Sequence, residues 1–254
     1  MLISTPKSNN WVKRPNPNPN ATLRLFCFPY AGAGASIFRH WSANLPPYVE
    51  VCPIQLPGRE ERIKESLFTQ LPPLVQTLAH SLQGYLDIPF AFFGHSLGGL
   101  ISFELARQLR IQQSPEPIHL FISGRRAPQA SDRNPLLHTL PESEFLQELR
   151  SLNRTPEKVL TNSELMQLLL PILRADFSIC ETYTYLDEPP LDCSISVLGG
   201  LDDAGEPIEL LELWRSQTRS SFSMYLFPGD HFFLHRSQQL LLETLDNQLC
   251  QLAD

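Results

Sequence analysis

The sequence predicts an α/β fold in which a mostly parallel β-sheet carries helices on both faces. Two observations predict this class. Short apolar runs alternate along the chain with longer segments in which apolar residues recur at helical spacing, and such alternation is typical of parallel strands joined by crossover helices. The chain is also long and apolar enough for a domain of this kind, with 254 residues of which 42% are hydrophobic.

Six apolar runs predict the strands of this sheet. They are Leu23–Phe28, Val49–Ile54, Phe90–Gly94, His119–Ser123, Ser194–Leu198 and Met224–Phe227. The segments between them have leucines at steps of four residues, which places those leucines on one face of a helix. This spacing predicts helices over 71–86, from Leu97 through Leu109, and in the C-terminal segment, where the stripe consists of Leu241, Leu245 and Leu249.

Two regions depart from the alternation. Residues 1–21 are polar and rich in Asn and Pro, and we expect a flexible N-terminal arm there because such a composition buries little apolar surface. The domain then spans residues 22–254. Within it, residues 132–184 have the pattern of three short helices with a surplus of leucine, which favours a lid inserted over a site. An ordinary helical excursion packed on the domain is the alternative.

Composition and charge exclude several kinds of partner. The net charge of −7 argues against nucleic acid, because binding phosphate requires a basic face. The five cysteines have no disulfide or metal spacing, so we expect a reducing compartment and neither metal nor cofactor. No signal peptide and no run long enough to cross a membrane is visible. We therefore expect a cytoplasmic protein that does not bind membranes, and nothing in the chain requires more than a monomer.

The segment Gly94-His95-Ser96-Leu97-Gly98 matches the G-x-S-x-G pattern of a nucleophile elbow. It follows a predicted strand and opens a predicted helix, as the elbow requires. Glycines at both ends let the backbone turn sharply without side-chain clashes, and the helix N-terminus brings partial positive charge to the site. We therefore predict that Ser96 is a nucleophile and that the domain has the α/β-hydrolase fold.

A serine hydroxyl needs a base, and the base needs an acid that orients it. In this fold the acid and then the histidine follow the serine along the chain. His231 comes directly after the last predicted strand and is the predicted base, whereas His235 is expected to face elsewhere. The acid is expected after the strand Ser194–Leu198. Asp202 and Asp203 both lie there, and we favour Asp203.

The negative oxygen of a tetrahedral intermediate needs backbone N–H donors. One predicted donor is the amide of Leu97, which directly follows the nucleophile. The other is expected in the glycine-rich turn FPYAGAGAS after the first strand, where Ala31 is the predicted donor and Tyr30 the alternative. These amides would complete a serine hydrolase site.

Six strings of the sequence resemble, in this order, motifs of type II thioesterases: FPYAGAGAS, QLPGREER, FGHSLGG, LRADF, LGGLDD and FPGDHFFL. These stand-alone enzymes accompany non-ribosomal peptide and polyketide synthases, and the resemblance covers residues 23–250. It implies hydrolysis of acyl or aminoacyl thioesters from the phosphopantetheine arm of carrier proteins by a Ser-His-Asp triad. The family's G-x-x-D pattern matches residues 200–203 and supports Asp203. The chain departs from the family at Tyr30, usually His, and at Ala204, usually Pro.

The partner implied by this resemblance is an acyl or peptidyl carrier domain of a synthase. Carrier domains are usually acidic, so we expect contacts from basic residues that follow strand ends, together with Tyr30 at the mouth of the site. The candidates are Arg59, Arg62, Lys64, Arg125, Arg126 and Arg133.

Two alternatives to this function stay open. A carboxylesterase or a fatty-acid-releasing thioesterase would use the same elbow, and a lid lined by Leu165, Leu168, Leu169 and Phe177 would hold a fatty chain. The alternative of another class is a non-catalytic adaptor that binds carrier proteins on the same scaffold.

Overall fold

The computed structural model describes residues 9–130, 136–151, 159 and 161–251. Among these residues six strands form one sheet: β1 (Leu23–Phe28), β2 (Val49–Pro53), β3 (Phe90–His95), β4 (His119–Ser123), β5 (Ser194–Gly200) and β6 (Phe222–Phe227). Their order is β2-β1-β3-β4-β5-β6, and the strand pairings are parallel throughout. The predicted strands and the parallel arrangement are confirmed.

Helices cover both faces of this sheet. They are α1 (Leu71–Leu82), α2 (Leu97–Ile111), α3 (Glu142–Ser151), α4 (Ser163–Glu181), α5 (Ile208–Glu212), α6 (Phe233–Arg236) and α7 (Gln238–Cys250). Successive side chains of a strand point to opposite faces. Phe26 and Phe28 of β1 therefore pack in one core cluster with α1 and α2, while Leu25 and Cys27 pack in the other with α6 and α7. The predicted leucine stripe of α7 is buried.

Residues 9–21 do not form a free arm. Val12 makes an antiparallel bridge with Ile54, and the Gln55 N–H donates to the Trp11 carbonyl at 2.8 Å. The guanidinium of Arg62 stacks 4.3 Å from the centre of the Trp11 ring. The prediction of a flexible arm is wrong for this segment. Backbone groups of Ile54 and Gln55, which follow edge strand β2, pair with it, and Trp11 and Val12 add apolar surface to the contact. Residues 1–8 lie outside the described residues.

The inserted segment contains α3 and α4, which pack around a small core of their own. That core includes Leu137, Phe145, Leu149, Met166 and Leu173. Two of the three predicted short helices are joined in α4, which runs through Pro171 without ending. Proline inside a helix removes one backbone hydrogen bond, but the buried stripe of α4 continues on both sides of it. Tertiary packing therefore overrides the proline as a helix breaker.

Two further features bear on the expected environment. Within the described part of the chain, no helix is sufficiently long and apolar to cross a membrane. The five cysteines are free thiols, of which Cys27 and Cys52 are buried and Cys250 is exposed.

Candidate active site

Four loops that follow strand ends meet at one edge of the sheet. Strands β1 and β3 run in register to Phe28 and Gly94, and β5 and β6 run in register to Gly200 and Phe227. The loops that leave these ends contain the residues predicted to act in catalysis. Because parallel strands bring their carboxyl ends to the same edge, segments far apart in sequence are collected around one site.

Ser96 lies on a strained turn between β3 and α2. Its backbone has φ 54° and ψ −113°, an unusual conformation that costs a non-glycine residue on the order of 1–3 kcal/mol. The Ser96 N–H donates to the Ser123 carbonyl at 2.7 Å, and the Gly99 N–H donates to the Ser96 carbonyl at 3.0 Å. Ser96 is half-buried while His95 and Leu97 on either side are buried. The turn therefore presents one hydroxyl at the sheet edge.

The glycines of the elbow are required by close backbone approaches. A Cβ on Gly98 would lie 2.6 Å from the carbonyl carbon of Phe28 and 2.9 Å from its Cβ. A Cβ on Gly94 would lie 2.5 Å from the nitrogen of Gly99. Non-bonded carbon atoms prefer separations of about 3.5 Å or more, so neither position admits a side chain unless the backbone moves. These contacts explain the G-x-S-x-G pattern in this chain.

His231 and Asp203 form a buried hydrogen-bonded pair. The Nδ1–H of His231 donates to Oδ2 of Asp203 at 2.6 Å, and the two residues are 4% and 8% exposed. The other carboxylate oxygen accepts from the Gly205 N–H at 3.1 Å. The ring of His95, the residue before Ser96, lies 5.2 Å from the ring of His231 between centroids. His231 is therefore beside the elbow, with Nδ1 engaged by a carboxylate.

The neighbouring carboxylates are placed differently. Asp202 is exposed to solvent. Asp230 accepts a hydrogen bond from the Phe232 N–H at 3.0 Å and lies 3.5 Å from the guanidinium of Arg236. Asp203 is thus the carboxylate that the geometry joins to the imidazole of His231.

Arg126 braces the loop that carries Asp203, and its neighbour Arg125 is buried. The backbone N–H and Nε of Arg126 both donate to Oε2 of the buried Glu206 at 2.9 Å. Arg125 is 7% exposed, and its carbonyl accepts from Nε1 of Trp214 at 2.8 Å. The prediction that these arginines form a docking surface is wrong, because the side chain of Arg125 is buried and that of Arg126 is paired with Glu206 in the loop that carries Asp203. Sequence reasoning missed the bracing role, since Glu206 is 80 positions from Arg126 and shares no motif with it.

The turn after β1 carries the predicted donor Ala31. The Ala33 N–H donates to the Tyr30 carbonyl at 3.0 Å, and Gly32 has φ +82°, as in a type II turn, whose third residue needs a positive φ. Leu97 is the first residue of α2, where amides have no acceptor within the helix. The two predicted donors therefore follow closely on the ends of the adjacent strands β1 and β3.

Tyr30 is tied to the segment that follows His231. Its hydroxyl lies 2.9 Å from Nε2 of His235, and its ring makes edge-on contacts with the rings of His95 and Phe232. Burial raises the pKa of Tyr30 to about 12 and lowers the pKa of His235. Both groups are therefore neutral near pH 7, and the tyrosine O–H donates to the imidazole. His235 is thus engaged by Tyr30, and a substrate or carrier contact by Tyr30 stays a prediction.

Arg59 is buried and does not face a partner. Its Nη1 and Nη2 donate to Oδ2 and Oδ1 of Asp176 in α4 at 2.7 and 2.8 Å. The two residues are 4% and 1% exposed. The prediction of a docking role for Arg59 is wrong, because the buried carboxylate of the LRADF segment requires a buried cation. Of the other basic candidates, Arg62 is buried, Lys64 is exposed, and Arg133 lies outside the described residues.

A cavity of about 520 Å³ opens beside the turn after β1. That volume lies in the range of small-molecule sites. Leu165, Leu168 and Leu169 of α4 line it, as the sequence predicts, whereas Phe177 packs against Phe145 within the inserted segment. The cavity joins an apolar wall to the backbone of the turn, so it can hold an apolar chain next to Ala31, one of the two predicted oxyanion donors.

Comparison with known proteins gives consistent matches over nearly the whole chain. The family model described as Thioesterase domain matches residues 23–249. The gramicidin S biosynthesis protein GrsT of Aneurinibacillus migulanus is 51% identical over 241 residues, covering 95% of this chain and 94% of that protein. The structure of the type II thioesterase BorB from the borrelidin biosynthetic cluster has a TM-score of 0.87 at 32% identity, covering 96% of this chain and 99% of that one.

A second solved structure agrees. The RedJ thioesterase from the prodiginine biosynthetic pathway of Streptomyces coelicolor has a TM-score of 0.84 at 38% identity, covering 89% of this chain and 85% of that chain. The predicted α/β-hydrolase fold is confirmed by these two structures together with the parallel sheet.

Proposed function

Because the chain belongs to the thioesterase domain family and is a hydrolase of thioesters, we propose that Ser96, His231 and Asp203 are its catalytic triad. The observation that carries this proposal is the buried His231–Asp203 hydrogen bond beside the strained elbow. The adaptor alternative is not retained, since the matched family consists of thioesterases.

Acylation begins with the hydroxyl of Ser96. His231 accepts the hydroxyl proton at Nε2 as Oγ bonds to the thioester carbonyl carbon, and Asp203 stabilises the resulting imidazolium. The carbonyl π electrons move to the oxygen, where the amides of Ala31 and Leu97 donate hydrogen bonds. Such preorganised donors stabilise the oxyanion more in the transition state than in the substrate.

The intermediate then collapses with cleavage of the carbon–sulfur bond. The electron pair of that bond leaves with sulfur, which takes the proton from His231 as the thiol departs. A thiolate is a good leaving group, so the proton transfer need not be far advanced. Water then attacks the acyl-Ser96 ester, with His231 accepting its proton and returning it to Oγ, which releases a carboxylic acid.

The chain is a type II thioesterase of non-ribosomal peptide or polyketide synthesis, in line with the gramicidin S and borrelidin biosynthetic roles of its relatives. We propose that its partner is an acyl or peptidyl carrier domain and its substrate a thioester on the phosphopantetheine arm. The predicted carrier contacts through Arg59, Arg125 and Arg126 are not part of this proposal, because those side chains are buried or paired inside the domain.

Intact-mass measurement on a panel of acyl-loaded carrier proteins tests the proposal. Incubation with the enzyme should return each preferred carrier to the mass of the free phosphopantetheine form. A fluorophosphonate should label the wild-type protein and not Ser96→Ala, and Ser96→Ala should leave the carriers loaded. Unchanged carrier masses with small thioesters still cleaved would overturn the carrier assignment. Full hydrolysis by Ser96→Ala would overturn the triad.

The apolar cavity favours a second substrate class, fatty acyl groups. Its wall of leucines from α4 suits a saturated chain better than a charged aminoacyl group. Rates on short acyl, aminoacyl and medium-chain acyl carriers, compared with an oxygen ester of the same chain, separate these options. A preference for the medium-chain group would assign a fatty-acid-releasing role, and equal rates on the oxygen ester would assign an esterase.

A further inference from the structure

A buried ion pair outside the triad joins three separate segments of the chain. Asp176 lies in α4, Arg59 lies in the loop after β2, and both are almost fully inaccessible to solvent. The bidentate contact between them is of the kind that fixes geometry as well as charge. Neither residue is used in the proposed chemistry.

The third segment is the turn that carries the oxyanion donor. Oδ2 of Asp176 accepts a hydrogen bond from the Gly32 N–H at 2.7 Å, and Nη1 of Arg59 donates to the Ala33 carbonyl at 3.2 Å. The turn also touches α4 directly, since a Cβ on Gly32 would lie 2.7 Å from Cδ2 of Leu173. One carboxylate of α4 is thus bonded both to a cation and to the backbone of the turn.

These bonds restrain the two peptide planes that flank Ala31. In a planar trans peptide the N–H of one residue points opposite to the carbonyl of the residue before it. The Tyr30 carbonyl, which shares a plane with the Ala31 N–H, accepts from the Ala33 N–H. The next plane contains the Gly32 N–H, which donates to Asp176. The direction of the Ala31 N–H is therefore fixed by the turn on one side and by α4 on the other.

We infer that Asp176, held by Arg59, is a positioning residue that aims the Ala31 amide at the oxyanion. The inference rests on the proposed function, because it assigns the geometry of a donor that the proposed mechanism uses. By this inference the C-terminal half of α4 helps to orient an oxyanion donor and does not only pack beside the site.

Asp176→Asn is the direct test. It keeps an oxygen acceptor but removes the charge that organises Arg59 and the Gly32 amide. Loss of one oxyanion donor lowers kcat by about 100- to 1000-fold in other hydrolases. A misdirected donor should cost part of that, so we expect kcat on a small acyl thioester to fall about 10- to 100-fold with KM nearly unchanged. Rates are to be normalised to the Ser96 sites that a fluorophosphonate labels.

A tetrahedral analogue separates positioning from general disturbance. A trifluoromethyl ketone with an acyl-like chain adds Ser96 Oγ to its carbonyl carbon and places a negative oxygen at the donors. Its affinity should fall by the same factor as kcat/KM in Asp176→Asn. A non-reactive thioether of the same chain should bind as in the wild type. Arg59→Lys keeps a cation beside Asp176 but loses the bidentate contact, and it should show the same effects to a smaller extent.

Glu50→Gln is the matched control. Glu50 and Arg24 form another buried ion pair, at the opposite end of strands β1 and β2. This variant should lose stability but keep the wild-type kcat per labelled site. The inference alone would be overturned if folded Asp176→Asn and Arg59→Lys keep the wild-type kcat. It would also be overturned if the affinities for the ketone and the thioether fall equally. Full activity of Ser96→Ala would instead overturn the triad and the inference with it.

Discussion

Replacing Gly98 with Ala tests whether the close backbone approach at the elbow is needed for catalysis. In an exposed helix interior this change would stabilise the protein by about 1 kcal/mol. Here the new Cβ would lie 2.6 Å from the carbonyl carbon of Phe28, which is about 1 Å inside van der Waals contact. We therefore expect the sign of the effect on stability to reverse.

The size of the expected loss in stability follows from how far β1 and α2 must move apart to relieve the clash. Strand β1 and the start of α2 must move apart by about 1 Å to restore an ordinary contact. Overpacking of this kind costs about 1–3 kcal/mol, which lowers Tm by roughly 5 °C for a chain of this size. The movement also shifts Ser96 and the Leu97 amide relative to the turn after β1. A misplacement of about 1 Å lowers the rate by roughly 100-fold.

Gly99→Ala is the matched control for this prediction. It makes the same change in the next residue of α2, but the nearest atoms would lie 3.3 Å from its Cβ, so a small adjustment suffices. Thiol release from a small acyl thioester measures kcat/KM, and thermal unfolding measures Tm. Gly99→Ala should retain most of its activity. Wild-type activity and Tm in Gly98→Ala, or equal losses in both variants, would refute the role given to the Phe28 contact.

Two further predictions concern titratable groups. Asp203→Asn should lower kcat about 10⁴-fold, because an amide N–H facing Nδ1 forces His231 into the tautomer that cannot accept the serine proton. Asp202→Asn, at an exposed position, should leave kcat nearly unchanged. A large loss of kcat in Asp202→Asn and none in Asp203→Asn would contradict the assignment. Burial lowers the pKa of His119 to about 4, so the unfolded chain binds this proton first and stability falls as the pH drops from 6.5 toward 4, by about 2 kcal/mol at pH 5. Urea unfolding at pH 5 and pH 7.5 should show a correspondingly smaller difference in His119→Gln, and an unchanged difference would show that His119 does not cause the loss.

The sheet could be predicted from the sequence because its signal is local. Strands β1 to β5 are short, mostly apolar runs buried on both faces, whereas β6 is half-buried up to Phe227, and α2 and α7 have leucine stripes with helical period. The errors arose where distant packing overrides local preference. Pro171 does not end α4, since the helix is held by its buried face. Residues 9–21 pack through backbone bonds to the segment around Ile54, which composition does not reveal.

The residues of the site also divide into those with a local sequence signal and those set by distant packing. The elbow and the position of His231 could be read from short motifs, because a strained turn and a strand end constrain neighbouring residues. The arginines could not be assigned, since their environment depends on partners far along the chain. Arg59 meets Asp176 across 117 positions, and Arg126 meets Glu206 across 80. A charge after a strand end marks the edge of a sheet, but only tertiary structure tells whether it faces solvent or a buried acid.

Both parts of α4, before and after Pro171, line the cavity, and the part after it also holds Asp176. On the proline's N-terminal side Leu165, Leu168 and Leu169 line the cavity beside the turn after β1, and Ile172 and Leu173 continue that wall beyond the proline. On its C-terminal side stands Asp176, anchored to the turn after β1. An interior proline leaves a helix free to bend at that point. Under the proposed roles, changes at Leu165, Leu168 and Leu169 can therefore reshape the cavity without altering the contacts of Asp176, so that acyl preference and turnover can evolve separately.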